Sequence, residues 1–223
     1  MDPRALTELL QPQPHAHLWR LLAPGLVLAL ARQPGPVVLV SPPRAPFVPA
    51  LAAQGLPADR WLRVDTTTAA TRLWATEQAL RCAEVAAVLA WLPQTEAADL
   101  RRLQLAAAAY GVFTLLLRAG PPRPSAALTR WQARAAPARR LAANAPGPPR
   151  LALTLERQRG GPADLYLELE WDRDRRRFLP ANTIAQPAIP IGAAFGRREA
   201  DVGRVPAVAA RRTPRPATEI RAA

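Results

Sequence analysis

The sequence predicts an α/β domain with a mostly parallel sheet flanked by helices, antiparallel strands after it, and a disordered tail. Three observations predict this. Between residues 37 and 117, short apolar runs alternate with helix-length amphipathic stretches. After residue 120 the hydrophobic period switches to two. From Pro180 onward periodicity stops, and proline and arginine take over.

Residues 5–9 read as the first strand and 17–32 as the helix that follows, with Pro24-Gly25 expected to bend or interrupt it. Val37-Val38-Leu39-Val40 is a continuous aliphatic run ended by Ser41-Pro42-Pro43, the pattern of a fully buried strand. Residues 47–54 fit a short helix stopped at Gly55, and 61–64 the next strand. Residues 68–82 read as a helix with Leu73, Leu80 and Ala83 on one face. Residues 86–91 form a strand ended by Pro93. Residues 96–110 form a helix whose inward face is Leu100, Leu103, Ala107 and Tyr110, closed by Gly111. Residues 112–117 are another buried strand. Strands separated by helices of this size require crossovers, and so run parallel.

Residues 128–135, 151–158 and 165–171 alternate, the last two joined through Gly160-Gly161-Pro162 as a hairpin. All three are expected to extend the sheet in antiparallel fashion. In the last, Leu165, Leu167, Leu169 and Trp171 share one face, and Tyr166, Glu168 and Glu170 the other. Pro180, Pro187, Pro190, Pro206, Pro214 and Pro216 forbid a long helix, so residues 180–223 should be disordered. The expected organisation is therefore a domain over residues 1–179 and a Pro/Arg-rich tail over 180–223.

The chain has 223 residues and 49% hydrophobic content, enough for one full core. Its apolar runs are far shorter than the roughly 20 residues of a membrane span, so no membrane partner is expected. Met1-Asp2-Pro3-Arg4 does not resemble a secretory leader. A single cysteine, Cys82, suits a reducing cytoplasm. The net charge is +13, and all 30 basic residues are arginine. Residues 121–150 hold six arginines and no acid, and residues 180–223 hold seven arginines and three acids. Acidic partners, protein or nucleic acid, would be drawn to these segments.

Enzyme signals are poor. There is no phosphate loop of the G-x-x-x-x-G-K-[ST] type and no lysine to serve in one, and there is no G-x-S-x-G. The two histidines, His15 and His17, sit in a Pro/Gln loop. With one thiol in the chain they do not make a tetrahedral metal set. Glu168 and Glu170 read as a solvated sheet face rather than a catalytic pair. No catalytic residue, metal or cofactor is assigned.

Five ordered pieces carry a resemblance: Pro46–Leu51 with Gly55-Leu56, Leu73–Arg81 (LWATEQALR), Ala87–Leu92 (AVLAWL), Leu100–Ala106 (LRRLQLA) and Arg157–Pro162 (RQRGGP). Together they resemble the ImuA family over roughly residues 5–172. These are RecA-superfamily accessory proteins of damage-induced mutagenesis, often described as SulA-like. The resemblance implies a RecA-like fold stripped of its ATPase groups. The phosphate-loop place reads Gln11-Pro12-Gln13-Pro14-His15-Ala16-His17, the water-activating glutamate's place Ser41-Pro42-Pro43, and the magnesium-binding aspartate's place Trp91. Without glycines or lysine the phosphates are neither wrapped nor neutralised. The DNA loops also look reduced, the connection after Leu117 being only the stretch 118–125.

The resemblance further implies a non-catalytic scaffold of SOS-induced translesion synthesis, cytoplasmic and nucleoid-associated. It would bind an ImuB-like Y-family protein and RecA, and through them an error-prone polymerase. Arg157 and Arg159 fall where RecA-type filaments face a neighbouring subunit; otherwise they are an exposed strand end. Arg197, Arg198, Arg204, Arg211, Arg212 and Arg215 of the tail are candidate partner contacts. They could also bind single-stranded DNA, five of them giving a salt slope of about −3.5. Trp131, between Arg130 and Arg134, is the candidate for base stacking. The alternatives are a SulA-like inhibitor of cell division that binds FtsZ, and a basic single-stranded-DNA-binding protein.

Overall fold

The computed structural model describes residues 6–11, 18–93, 95–119, 125–142, 145–161 and 164–181. The tail expectation for 182–223 and the histidine loop lie outside the described residues. In chain order the elements are β1 (Leu6–Gln11), α1 (Leu18–Arg32), β2 (Val37–Val40), α2 (Val48–Ala52), β3 (Trp61–Val64), α3 (Ala69–Arg81), β4 (Ala87–Trp91), α4 (Ala97–Tyr110) and β5 (Phe113–Ala119). Then come β6 (Thr129–Ala136), β7 (Arg140–Ala142), β8 (Ala145–Pro146), β9 (Arg150–Gln158), β10 (Leu165–Asp172) and β11 (Arg177–Pro180).

Nine strands form one mixed sheet in the order β11-β10-β9-β6-β1-β5-β4-β2-β3. The six strands from β6 to β3 are parallel, and β9, β10 and β11 continue antiparallel. β7 and β8 make a separate small hairpin. Continuous aliphatic runs become the buried central strands because helices cover both faces. α1 packs Leu22, Leu26 and Leu30 onto Val37, Leu39, Leu89 and Leu115, and the same core reaches Leu151, Leu153 and Phe178. On the opposite face α3 and α4 bring Leu80, Leu100, Leu103 and Ala107 against Val38, Val40, Val88 and Leu116.

The helix boundaries follow local signals. Thr68 caps α3, with its side chain accepting the Thr71 N–H and the Thr71 side chain returning to the Thr68 N–H. Gly111, at φ 67°, ends α4 in the left-handed region that a side chain disfavours.

Three expectations need correction, and one is narrowed. Pro24 does not interrupt α1, because burial of Leu21, Leu22 and Ala23 before it and Leu26 and Ala29 after it holds the helix in one piece. Tyr110 is not on the inward face of α4 but 48% exposed. It is the last residue of α4, three residues past Ala107, the last buried residue of the helix. β6 is not antiparallel to the sheet but parallel to β1, with Thr7 opposite Thr129. Alternation in sequence reports which side chains share a face, not which way a strand runs. The tail was expected to begin at Pro180, but β11 runs through Pro180. It is a genuine strand, closed onto β10 by a turn in which Asp172 accepts the Arg175 N–H at 2.8 Å and the Arg175 guanidinium at 2.8 Å.

The backbone N–H of Arg175, followed by its guanidinium, holds the Asp172 carboxyl below the usual carboxylate range. A depressed folded-state pKa contributes stability above the unfolded pKa, and that stability is lost as pH falls through the folded value. Asp172→Asn should therefore lower the melting temperature at neutral pH. The gap to wild type should close as pH falls through the lowered folded-state value of Asp172, and thermal melts across the acid range would read it.

Candidate functional site

In open parallel sheets, ligands collect beyond the carboxyl ends of the strands. The same edge of this chain is filled in an unusual way. Gln11 ends β1 and is buried. After β2, Ser41 takes φ 49°. Its hydroxyl meets the Thr66 hydroxyl at 2.7 Å and accepts the Thr66 N–H at 3.2 Å, stapling the ends of β2 and β3 together. β4 ends on an indole, Trp91, where a metal-binding site would want a carboxylate. Trp91 meets Trp19 from the first turn of α1 at 6.1 Å with the rings tilted by 49°, and Trp19 meets Trp61, the first residue of β3, edge-on at 5.9 Å. Trp19 and Trp91 thus cover the carboxyl end of β4 on the α1 side. Among the described residues no group of His, Cys, Asp and Glu could hold a metal.

Just below this edge lies a buried charge cluster. Glu8, in the middle of β1, has no solvent exposure. One carboxylate oxygen accepts Arg118 of β5 at 2.6 Å, and the other accepts Arg130 of β6 at 2.8 Å. Arg118 is 3% exposed and Arg130 13%. Arg118 also reaches the Thr95 carbonyl at 3.4 Å, and Arg130 lies 3.9 Å from Glu156. Burial pushes the Glu156 carboxyl above its ordinary range, Arg130 pulls it back, and the Glu8 charge pushes it up again. The cluster ties together β5, β1 and β6. In the sheet β1 lies between β5 and β6.

The structure separates the residues singled out from sequence. Arg130 belongs to the buried cluster. Trp131, its neighbour in β6, points to the opposite face and packs against the α1 core. Arg134 is exposed. These three therefore do not form one stacking platform. Arg157 donates to the Ser125 carbonyl at 2.9 Å, and the Arg159 N–H donates to the Leu128 carbonyl at 2.8 Å. Both flank the start of β6, at the amino edge of the sheet. Glu168 and Glu170 are partnered by Arg150 at 2.7 and 3.5 Å. Arg197, Arg198, Arg204, Arg211, Arg212 and Arg215 lie outside the described residues.

Sequence reasoning overlooked Glu8 and Trp74. Five of the six tryptophans pack against the α1 core, whereas Trp74 on α3 is 62% exposed. A signal was present: Trp74 directly follows Leu73, which faces inward, and so sits about 100° around the helix from it.

Comparison with known proteins places these features. Residues 5–113 match the SulA family, described as cell division inhibitor SulA. Protein ImuA of Caulobacter vibrioides, in two strains, is 37% identical over an alignment of 145 positions that covers 58% of this chain. The chain spans 58% of the length of those curated relatives. Among solved structures, the RadB recombinase aligns with a TM-score of 0.53 and 14% identity, over 79% of this chain and 90% of RadB. SulA from Pseudomonas aeruginosa aligns over 51% of this chain and 98% of its own length, at 25% identity and a TM-score of 0.41. The fold is RadB-like and hence RecA-like: a mixed, mostly parallel sheet with antiparallel strands at its C-terminal end.

Proposed function

The chain is ImuA-like and carries a SulA-type region, and from this premise we propose that it is a non-catalytic accessory protein of damage-induced translesion DNA synthesis. It serves as a scaffold that holds an ImuB-like Y-family protein and RecA, and through them an error-prone polymerase. The observation that carries this reading is Trp91 at the end of β4, packed against Trp19. An indole cannot order the water shell of a magnesium ion. Two indoles, Trp19 and Trp91, fill the carboxyl end of β4, where an ATPase keeps a polar group. The chain also has no lysine to neutralise a triphosphate. With hydrolysis removed, a RecA-like body has its surfaces left to work with.

The segment 182–223 supplies an adaptable basic contact in this reading, through Arg197, Arg198, Arg204, Arg211, Arg212 and Arg215. Purified ImuB-like protein and RecA should be retained by the full chain. Loss of residues 182–223 should weaken retention at least tenfold without lowering the melting temperature. Ala181 is left in place because its N–H donates to the Glu168 carbonyl at 2.7 Å. Undiminished retention by the truncated chain removes the tail from the scaffold.

The match to SulA over residues 5–113 favours a second reading, a cap on the division protein FtsZ. Filamentation of undamaged cells on expression of the chain would select it over the first.

A further inference from the structure

Trp74 is left in water by a helix that turns Thr76, Glu77 and Leu80 inward. It shares a strip of α3 with Gln78 and Arg81, at i, i+4 and i+7. Across the seam, α4 contributes Arg102 and, three residues on, Leu105, which is 64% exposed. Glu77 joins the two helices. Its side chain is 9% exposed, and it accepts Arg81 on one oxygen at 2.6 Å and Arg102 on the other at 2.6 Å.

This arrangement has two consequences. Arg81 and Arg102, each 53% exposed, are held in place instead of sampling many rotamers, so a partner loses less side-chain entropy in meeting them. One carboxylate also faces two guanidiniums, so this trio is net positive, with Asp99 one turn before Arg102 on α4. Each guanidinium has five N–H donors in a planar fork that matches a carboxylate. Trp and Arg are the side chains that most often dominate protein interfaces.

We propose that the α3–α4 face, built on Trp74, Leu105 and the Glu77-clamped Arg81 and Arg102, docks an acidic segment of another protein that presents an apolar side chain to the indole. Charge decides among the occupants. The chain's own residues 180–223 carry seven arginines and three acids, and are repelled by this surface. A second copy using the same face would set arginine against arginine. Single-stranded nucleic acid is gripped by a basic groove with successive aromatic rings, whereas this is one indole on a ridge of two helices. The surface lies outside the tail and does not depend on the mutagenesis reading, since a chain with another cellular role would still present it.

The test is selection of short random peptides displayed on phage against the full chain, with the variant Trp74→Glu/Arg81→Glu/Arg102→Glu as counter-target. Enriched peptides should be rich in Asp and Glu around a large apolar residue. Their binding should fall at least tenfold in Trp74→Ala, and should be unchanged in the tail variant Arg211→Glu/Arg212→Glu. Hydrogen exchange should show peptide protection confined to α3 and α4. Matching melts of wild type and Trp74→Ala, a substitution at an exposed position, separate lost docking from lost folding. The proposal is overturned if no peptide prefers wild type to the counter-target, or if the selected peptides are neutral or basic. It is also overturned if Trp74→Ala binds them as well as wild type, or if oligo-dT binds this face instead and is released by the same substitutions.

Discussion

Glu8→Ala is expected to destabilise the chain by about 3–5 kcal/mol, the usual result of removing one partner from a buried ion cluster. Glu8 is wholly buried at the centre of the sheet, and Arg118 and Arg130 reach it from the strands on either side. Without its carboxylate, Arg118 keeps the Thr95 carbonyl at 3.4 Å, and Arg130 keeps Glu156 at 3.9 Å. Neither contact replaces a charged hydrogen bond of 2.6–2.8 Å. Two guanidiniums would lose their nearest counter-charge in a low-dielectric interior. For a domain of this size the melting temperature should fall by about 2–4 °C per kcal/mol.

Two further variants locate the cause. Glu8→Gln keeps the shape and removes the charge, and should also destabilise. Replacing Glu8, Arg118 and Arg130 together by Leu, Met and Leu should be neutral or stabilising, because the desolvation cost of all three charges disappears. Urea unfolding of the three proteins reads the difference. A loss below about 1 kcal/mol for Glu8→Ala would mean that water reaches the cluster.

The same cluster shows where sequence reading stops. Val37–Val40 was legible as a buried strand because helices on both faces leave no polar position in it. Thr68, Gly55 and Gly111 marked helix ends through local chemistry that does not depend on the rest of the fold. Glu8 gave no such signal. It lies in a strand that was correctly placed, but its partners stand 110 and 122 residues away, and only the strand order brings them together. The direction of β6 was hidden for the same reason, because it depends on a crossover and not on any residue within the strand. Trp131 was favoured over Trp74 as the exposed indole because its neighbours are arginines. One of those arginines is buried on Glu8, which makes that flank interior. Trp91 was legible as the residue that ends its strand. Its packing against Trp19 needed the first turn of α1 to be placed over the end of β4.

Phe178→Ala is expected to have the second large effect, about 3 kcal/mol or more. Phe178 is 1% exposed in a strand of four residues at the end of the sheet. It stands directly opposite Trp171 of β10, ring to ring at 5.3 Å and 72°. Arg20 of α1 covers the other ring of the pair at 4.7 Å. Removing the phenyl ring opens a cavity that nearby backbone cannot fill, but an edge strand has a way out that a central strand lacks. β11 can detach while β10 stays paired to β9, so the loss cannot exceed what docking β11 contributes. Amide exchange should therefore separate the two fates. Detachment raises exchange at Leu179 and Ala181 by about 100-fold for 3 kcal/mol, and leaves β1, β4 and β5 protected. Uniform acceleration across all strands would instead mean that β11 unfolds only with the whole sheet. Ala181 is the last described residue before the basic segment, held by the Glu168 carbonyl. Phe178 therefore sets where that segment leaves the body. Its loss should weaken tail-dependent partner retention less than deleting residues 182–223 does, because the arginines remain and only their point of origin is loosened.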